Sequence, residues 1–236
     1  MLERALDAGI ERILVPGWDL PSSVAALELA ERHAPLLRAA VGVHPHYAAE
    51  TDERAWHELE ELMADLRCAA VGEIGLDFFR NLSPPDVQRA AMACQLAIAA
   101  RRDLPVLVHD RDAHAEVTEL LLAWDGRVQH DARGVLHAFS GDAAMAAALS
   151  ARGFLVSFAF PLAFRSATGP RAAAPLLPAG SFLVETDAPY LGPDRDARNE
   201  PTTALRVVAE LASLRDADPQ IVARDVRTAF DRLVGG

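Results

Sequence analysis

Apolar residues in this chain come in short unbroken runs, separated by longer stretches of helical period. The runs are Arg12 to Val15, Ala39 to Val43, Ala69 to Glu73, Pro105 to His109, Gly134 to His137, Phe154 to Ser157 and Phe182 to Glu185. Runs rich in Val, Leu and Ile that do not alternate with polar residues predict strands buried on both faces, as in a parallel sheet covered by helices. The intervening pattern predicts helices over Pro21 to His33, Asp52 to Arg67, Pro84 to Arg102, Asp112 to Trp124 and Asp142 to Arg152. Two more close the chain, near Pro201 to Leu214 and Pro219 to Leu233, and Leu2 to Ala8 opens it. Asp52 reads as an N-cap, and Pro84-Pro85-Asp86 as a helix entry. Strand and helix alternate in units of about 25 to 30 residues, which predicts one parallel α/β domain over residues 1–236.

Four of the runs lead into metal-ligand side chains. Glu73, His109 and His137 close theirs, and Asp187 follows Phe182-Leu183-Val184-Glu185-Thr186. Parallel α/β folds bind ligands at the carboxyl ends of their strands, so all four groups are expected around one mouth. A doubly wound sheet also alternates strand and helix. Contributions from many strand ends, rather than one switch point, favour a (β/α)8 TIM barrel. The runs number seven and a helix precedes the first, so the barrel's first strand is expected to be missing from this chain. Carboxylate plus imidazole is the ligand set of a catalytic divalent metal, and the chain reads as a metal-dependent hydrolase.

Composition narrows the chemistry. All 23 basic residues are Arg, which excludes a P-loop lysine, a Schiff-base lysine and pyridoxal phosphate chemistry. A formal net charge of -11 provides no broad electrostatic footprint for a polyanion, but leaves room for a nuclease gripping a few phosphates locally. There is no Gly-x-Ser-x-Gly, His-Glu-x-x-His, Cys-x-x-Cys or Gly-x-Gly-x-x-Gly. Two cysteines, Cys68 and Cys94, are too few for a disulfide framework and are expected in the core. No apolar stretch predicts a membrane span, and the charged start lacks a signal-peptide pattern, so a cytoplasmic protein is expected.

Several segments occur together in order: Gly42-Val43-His44-Pro45-His46, Gly72-Glu73-Ile74-Gly75-Leu76-Asp77 and His109-Asp110-Arg111-Asp112. Leu136-His137-Ala138-Phe139-Ser140-Gly141, Glu185-Thr186-Asp187-Ala188-Pro189-Tyr190 and Arg198-Asn199-Glu200-Pro201 follow. Over essentially its whole length the chain resembles the TatD family of metal-dependent hydrolases, within the amidohydrolase-like barrels. The resemblance implies a two-metal phosphodiesterase, a deoxyribonuclease in several members. It implies Glu73 bridging two ions, His109 and His137 on the second, and Asp187 on the first and taking a proton from the attacking water. Two divalent ions about 3.5–4 Å apart clamp the attacking and leaving oxygens of such a displacement. The expected cofactor is one or two divalent ions, Zn²⁺, Mn²⁺ or Mg²⁺, and the His content tilts away from a pure Mg²⁺ site.

The family's first strand usually ends in His-x-His, and this chain begins beyond it. A misplaced start, a truncation, or a site binding only the second ion through Glu73, His109 and His137 would each account for that. His44-Pro45-His46 has the spelling of the absent motif but follows a later strand. His44 is expected to contact substrate and His46 to be a loop histidine. Arg111 either binds phosphate or pairs with Asp110 or Asp112, and Arg198 either contacts substrate or anchors its loop. Trp18 either stacks on a base or packs against a loop. Glu185 is expected to be structural, and Asp112 and His114 to start a helix at the surface. His33, His57 and His130 are expected to be solvated. The expected partner is DNA or another phosphodiester, with no membrane and no stable protein partner. Rival readings are an amide or ester hydrolase acting on a small molecule, and a degenerate non-catalytic member.

Overall fold

The computed structural model describes residues 1–126, 131–193, 196 and 198–235; His130 lies outside them. Seven strands are present among the described residues: β1 Ile13–Pro16, β2 Leu37–Val41, β3 Cys68–Asp77, β4 Val106–Arg111, β5 Gly134–Leu136, β6 Phe154–Phe158 and β7 Phe182–Val184. Their hydrogen-bonded order is their chain order, with no reversal at which a doubly wound sheet would switch direction. The pairs β1–β2, β2–β3, β3–β4 and β6–β7 are all parallel. Helices alternate with them: α1 Leu2–Asp7, α2 Leu20–Arg32, α3 Glu53–Leu62, α4 Pro85–Arg102, α5 His114–Ala123, α6 Ala143–Ser150, α7 Thr168–Ala173, α8 Ala204–Leu214 and α9 Pro219–Val234. This is the parallel α/β pattern that the apolar runs predict.

The chain divides into two compact units, residues 12–135 and residues 1–11 with 136–236. In the first, β1 to β4 carry a core of Ala39, Val41, Val71, Ile74, Val106 and Val108, all fully buried. Gln88 and Gln95 on α4 are also fully buried, seven residues apart and so on one face of the helix. In the second, Phe154, Phe158 and Phe182 fill the space between β6, β7 and their helices. Aspartates start the helices where a short acceptor is needed for free N–H groups. Asp19 accepts from the Ser22 amide, Asp52 from Ala55, Asp142 from Met145 and Asp218 from Gln220.

The elements differ from the predicted ones in places that bear on the site. β3 continues to Asp77, so Glu73 lies inside the strand rather than closing it. The register of β3 against β4 shifts between Val71 and Ile74, and there the Glu73 amide donates to the Gly17 carbonyl instead. Two glycines permit this path. A Cβ on Gly72 would stand 2.5 Å from the Leu107 Cβ, and one on Gly75, at φ +143°, would stand 1.9 Å from the His109 carbonyl oxygen. β4 likewise runs on past His109 to Arg111. Asp112 does not begin α5; it takes a left-handed φ of +57°, and the helix starts at His114. α3 stops at Leu62, and α7 has no counterpart among the predicted helices. Cys68 is buried as expected, but Cys94 is exposed on the outer face of α4, away from the core.

Candidate functional site

In residues 12–135, the ends of β2, β3 and β4 bring His44, His46, Glu73, Asp77 and His109 together. His109 stands between two carboxylates: its Nδ1 is 3.0 Å from Glu73 Oε1 and its Nε2 is 3.2 Å from Asp77 Oδ2. Asp77 Oδ2 also lies 2.7 Å from His46 Nε2. His44 completes the cluster, with Nε2 3.5 Å from Glu73 Oε1. Glu73, Asp77, His109 and the His44 imidazole thus occupy one small volume, and one nitrogen or oxygen from each of His44, Glu73 and His109 lies within 4.8 Å of the others.

Each side chain is held by its surroundings. The Asp77 backbone is gripped from α4, where Gln88 Oε1 accepts its amide at 2.8 Å and Gln88 Nε2 donates to its carbonyl at 3.2 Å. Gln95 does the same for Val43, next to His44, at 2.7 and 3.1 Å. Asp77 is 1% exposed. Burial alone would raise its pKa. The His109 hydrogen bond, the Arg80 amide and the His46 hydrogen bond together outweigh it and hold the carboxyl well below the usual carboxylate range. His44 moves the other way: burial lowers its pKa against the pull of Glu73, so the ring is neutral at pH 7. Its Nδ1 accepts the His46 amide at 3.1 Å, which places the proton on Nε2, the nitrogen facing Glu73. As a neutral ring in that tautomer, His44 presents a donor to the cluster.

In residues 136–236 the same arrangement recurs. His137, directly after β5, stands between Glu185 and Asp187: Nδ1 is 3.0 Å from Glu185 Oε2 and Nε2 is 2.9 Å from Asp187 Oδ1. The three residues offer ligand atoms within 4.8 Å of one another. Glu185 Oε1 also accepts the Ala138 amide at 2.9 Å. Ala138 and Asp187 both have left-handed backbones, φ +42° and +53°, a conformation that costs L-residues energy and that surrounding contacts must enforce. Part of that enforcement comes from Asn199, 3% exposed, whose amide donates to the Thr186 carbonyl and, at 2.6 Å, to the Tyr190 carbonyl.

Of the residues predicted from strand ends, Glu73, His109 and His44 meet in one cluster, and His137 and Asp187 in another. Two members of the first cluster, His46 and Asp77, were not expected there. His46 is not an isolated loop histidine but a partner of Asp77, for which no role was expected; Glu185, expected to be structural, stands beside His137. The signal was the strand period. Asp77 is four residues beyond Glu73 within β3, a spacing that returns to the same side of a strand. Arg111 is exposed and lies with its guanidinium over the Phe79 ring, 4.5 Å from the centroid. The carboxylate of Asp110, which was a possible partner of Arg111, meets His114 Nδ1 at 2.7 Å. Arg198 is exposed beside the anchoring Asn199, and Trp18 is 47% exposed with its carbonyl accepting the His44 amide.

Imidazole and carboxylate donors in threes suit a divalent ion. A histidine ligand typically donates its second ring N–H to a carboxylate that orients it. Asp77 stands in that position to His109 and Glu185 to His137, leaving His109 Nδ1 beside Glu73 and His137 Nε2 beside Asp187 for an ion. The residues therefore fit the group.

The family model for TatD related DNase matches residues 1–235. The chain is similar to a 3'-5' ssDNA/RNA exonuclease TatD from Yersinia pseudotuberculosis, with 36% identity over 227 residues, 93% of this chain and 86% of that protein. It is similar to an uncharacterized metal-dependent hydrolase, YabD, from Bacillus subtilis, with 34% identity over 218 residues, 92% of this chain and 84% of the other. Among solved structures it matches YJJV, a TatD homolog from Escherichia coli K12, at a TM-score of 0.91 and 31% identity, covering 100% of this chain and 90% of that one. The α/β fold is that of these TIM-barrel hydrolases. No helix among the described residues is long and apolar enough to cross a membrane.

Proposed function

The chain belongs to the TatD family and is a metal-dependent hydrolase of the nuclease type; from that premise we propose that it removes nucleotides from the 3' end of single-stranded DNA or RNA. The observation that carries the reading is the repeated unit of a strand-end histidine held between two carboxylates, Glu73–His109–Asp77 and Glu185–His137–Asp187. The names of the curated relatives support the substrate and the direction.

Glu73 and His109 in residues 12–135, and His137 and Asp187 in residues 136–236, are the proposed ligands of one or two divalent ions per chain, Zn²⁺, Mn²⁺ or Mg²⁺. Imidazole favours the first two. A divalent ion bound there supplies Lewis acidity toward water and phosphoryl oxygen, so no activated side-chain nucleophile is required. Glu73 and Asp187 are the proposed catalytic carboxylates, Asp187 taking the proton of the attacking water. His44, neutral and with its proton on Nε2, donates to a phosphate oxygen. This role suits it better than ligation, because its other nitrogen is already occupied. Arg111 and Arg198 supply positive charge near the substrate, in a chain whose net charge does not attract one. Two cysteines without a mutual disulfide suit a reducing compartment, and the cytoplasm is the proposed location.

The test is cleavage of a 5'-labelled single-stranded oligonucleotide with Mn²⁺, alongside the metal content of the protein and an amide substrate panel. The expected result is a ladder shortening from the 3' end, lost on chelation. His109→Ala is expected to reduce it at least about a hundredfold with the circular dichroism spectrum unchanged. Undiminished cleavage by H109A refutes the site, and turnover confined to amides refutes the substrate.

A further inference from the structure

Beside the first cluster, β3 and β4 end in register, with Asp77 opposite Arg111. The chain leaving β3 presents Phe78-Phe79-Arg80, and Phe79 is 61% exposed. A phenylalanine left in water at the edge of a buried polar cluster forgoes much of the stabilisation that burial would give it. Its placement is nevertheless tightly specified. The Phe78 amide donates to the Arg111 carbonyl at 2.9 Å, the Arg80 amide to Asp77 Oδ1 at 2.7 Å, and the Asn81 amide to the Asp77 carbonyl at 3.3 Å. Gln88 secures the far side through Asn81 Oδ1. The Arg111 guanidinium covers one face of the Phe79 ring. With one face covered and three-fifths of the residue exposed, the other face is open.

We propose that the open face of Phe79 is a stacking platform for a nucleobase of the single strand, backed by Arg111. This rests on the nuclease reading above and names the group that holds the base. A chain of net charge -11 has no long-range attraction for a polyanion, so affinity must come from contacts at short range. Base–aromatic stacking supplies it without reading sequence, since every base has a π face. The guanidinium beneath polarises the ring and adds a cation, and Arg80, exposed beside it, adds another near the phosphates. Double-stranded DNA keeps its bases stacked on one another, so a platform of this kind selects strands whose bases are free.

The experiment uses the full chain and two readouts. In Mn²⁺-dependent cleavage of a dT12 oligonucleotide, Phe79→Ala is expected to raise KM about tenfold with a much smaller effect on kcat, and Phe79→Trp to restore KM. Abasic residues placed one at a time in the last three positions of the strand should include one at which the F79A penalty shrinks at least fivefold. A KM for F79A within twofold of wild type, or an equal penalty at every abasic position, overturns the platform. In parallel, fluorescence anisotropy of dye-labelled dT12 in Ca²⁺ measures binding without turnover; F79A should weaken it about tenfold and F79W should not. If the wild type cleaves no strand, the nuclease reading fails on the first readout, while the second still decides the platform.

Discussion

Gln88→Leu tests how the first cluster is held. Gln88 is completely buried on α4, and its amide serves three backbone groups: the Asp77 amide at 2.8 Å, the Asp77 carbonyl at 3.2 Å and the Ser83 carbonyl at 2.7 Å. Leucine has similar bulk but can satisfy none of them, and Asp77 and Ser83 are too buried for water to replace it. Each buried group left without a partner costs about 1–3 kcal/mol, and the three share one pocket that relaxes as a unit, so the combined cost is about 3–5 kcal/mol. With a urea m-value near 3 kcal/mol/M for a chain of this size, the midpoint should fall by about 1–1.7 M. The assay is urea unfolding at pH 7.5 followed by circular dichroism. Gln220→Leu, on the exposed first turn of α9, serves as the control and should shift the midpoint by less than about 0.2 M. A shift for Q88L no larger than the control's would show that the Asp77 backbone is not secured from α4, and the account of how Asp77 reaches His109 and His46 would have to be abandoned.

Two further outcomes follow from buried and paired titratable groups. Burial pushes the Cys68 thiol up to about 12, whereas Cys94 is exposed, so a thiol reagent at pH 8 should modify one cysteine in the native protein and two in guanidinium chloride; two rapid modifications of native protein would contradict the buried placement. The Arg67 guanidinium beside Asp65 holds its carboxyl down to about 2, from 3.8 for an isolated group. A folded-state pKa below the unfolded one adds stability above the unfolded value, which is lost as pH falls through the folded value. Asp65→Asn should therefore lower the melting temperature modestly at pH 7 and by progressively less between pH 4 and 2; a deficit independent of pH in that window would show that the pair contributes nothing.

The hydrophobic pattern alone determined the seven strands, their parallel α/β arrangement and the placement of Glu73, His109, His137 and Asp187 in or just beyond β3, β4, β5 and β7. A strand buried on both faces requires an unbroken apolar run, so a carboxylate or imidazole at its end stands out in one dimension. The family segments added His44 and the likeness to metal-dependent hydrolases. What the pattern could not reach was which carboxylate faces which imidazole. That depends on register between strands and on helices brought in from elsewhere in the chain. Asp77 meets His109 and His46 because β3 continues past Glu73, and it does so only because Gly72 and Gly75 let its backbone approach β4. Glu185 reaches His137 across 48 residues, with Ala138 held in a left-handed turn that nothing in its local sequence demands. The Gln88 and Gln95 clamps, the exposed Cys94 and the Arg111–Phe79 stack are likewise set by which surfaces of α4 and β4 face inward. Local periodicity encodes burial, but hydrogen-bond partners, and with them the protonation and orientation of each site residue, are decided by contacts between distant segments.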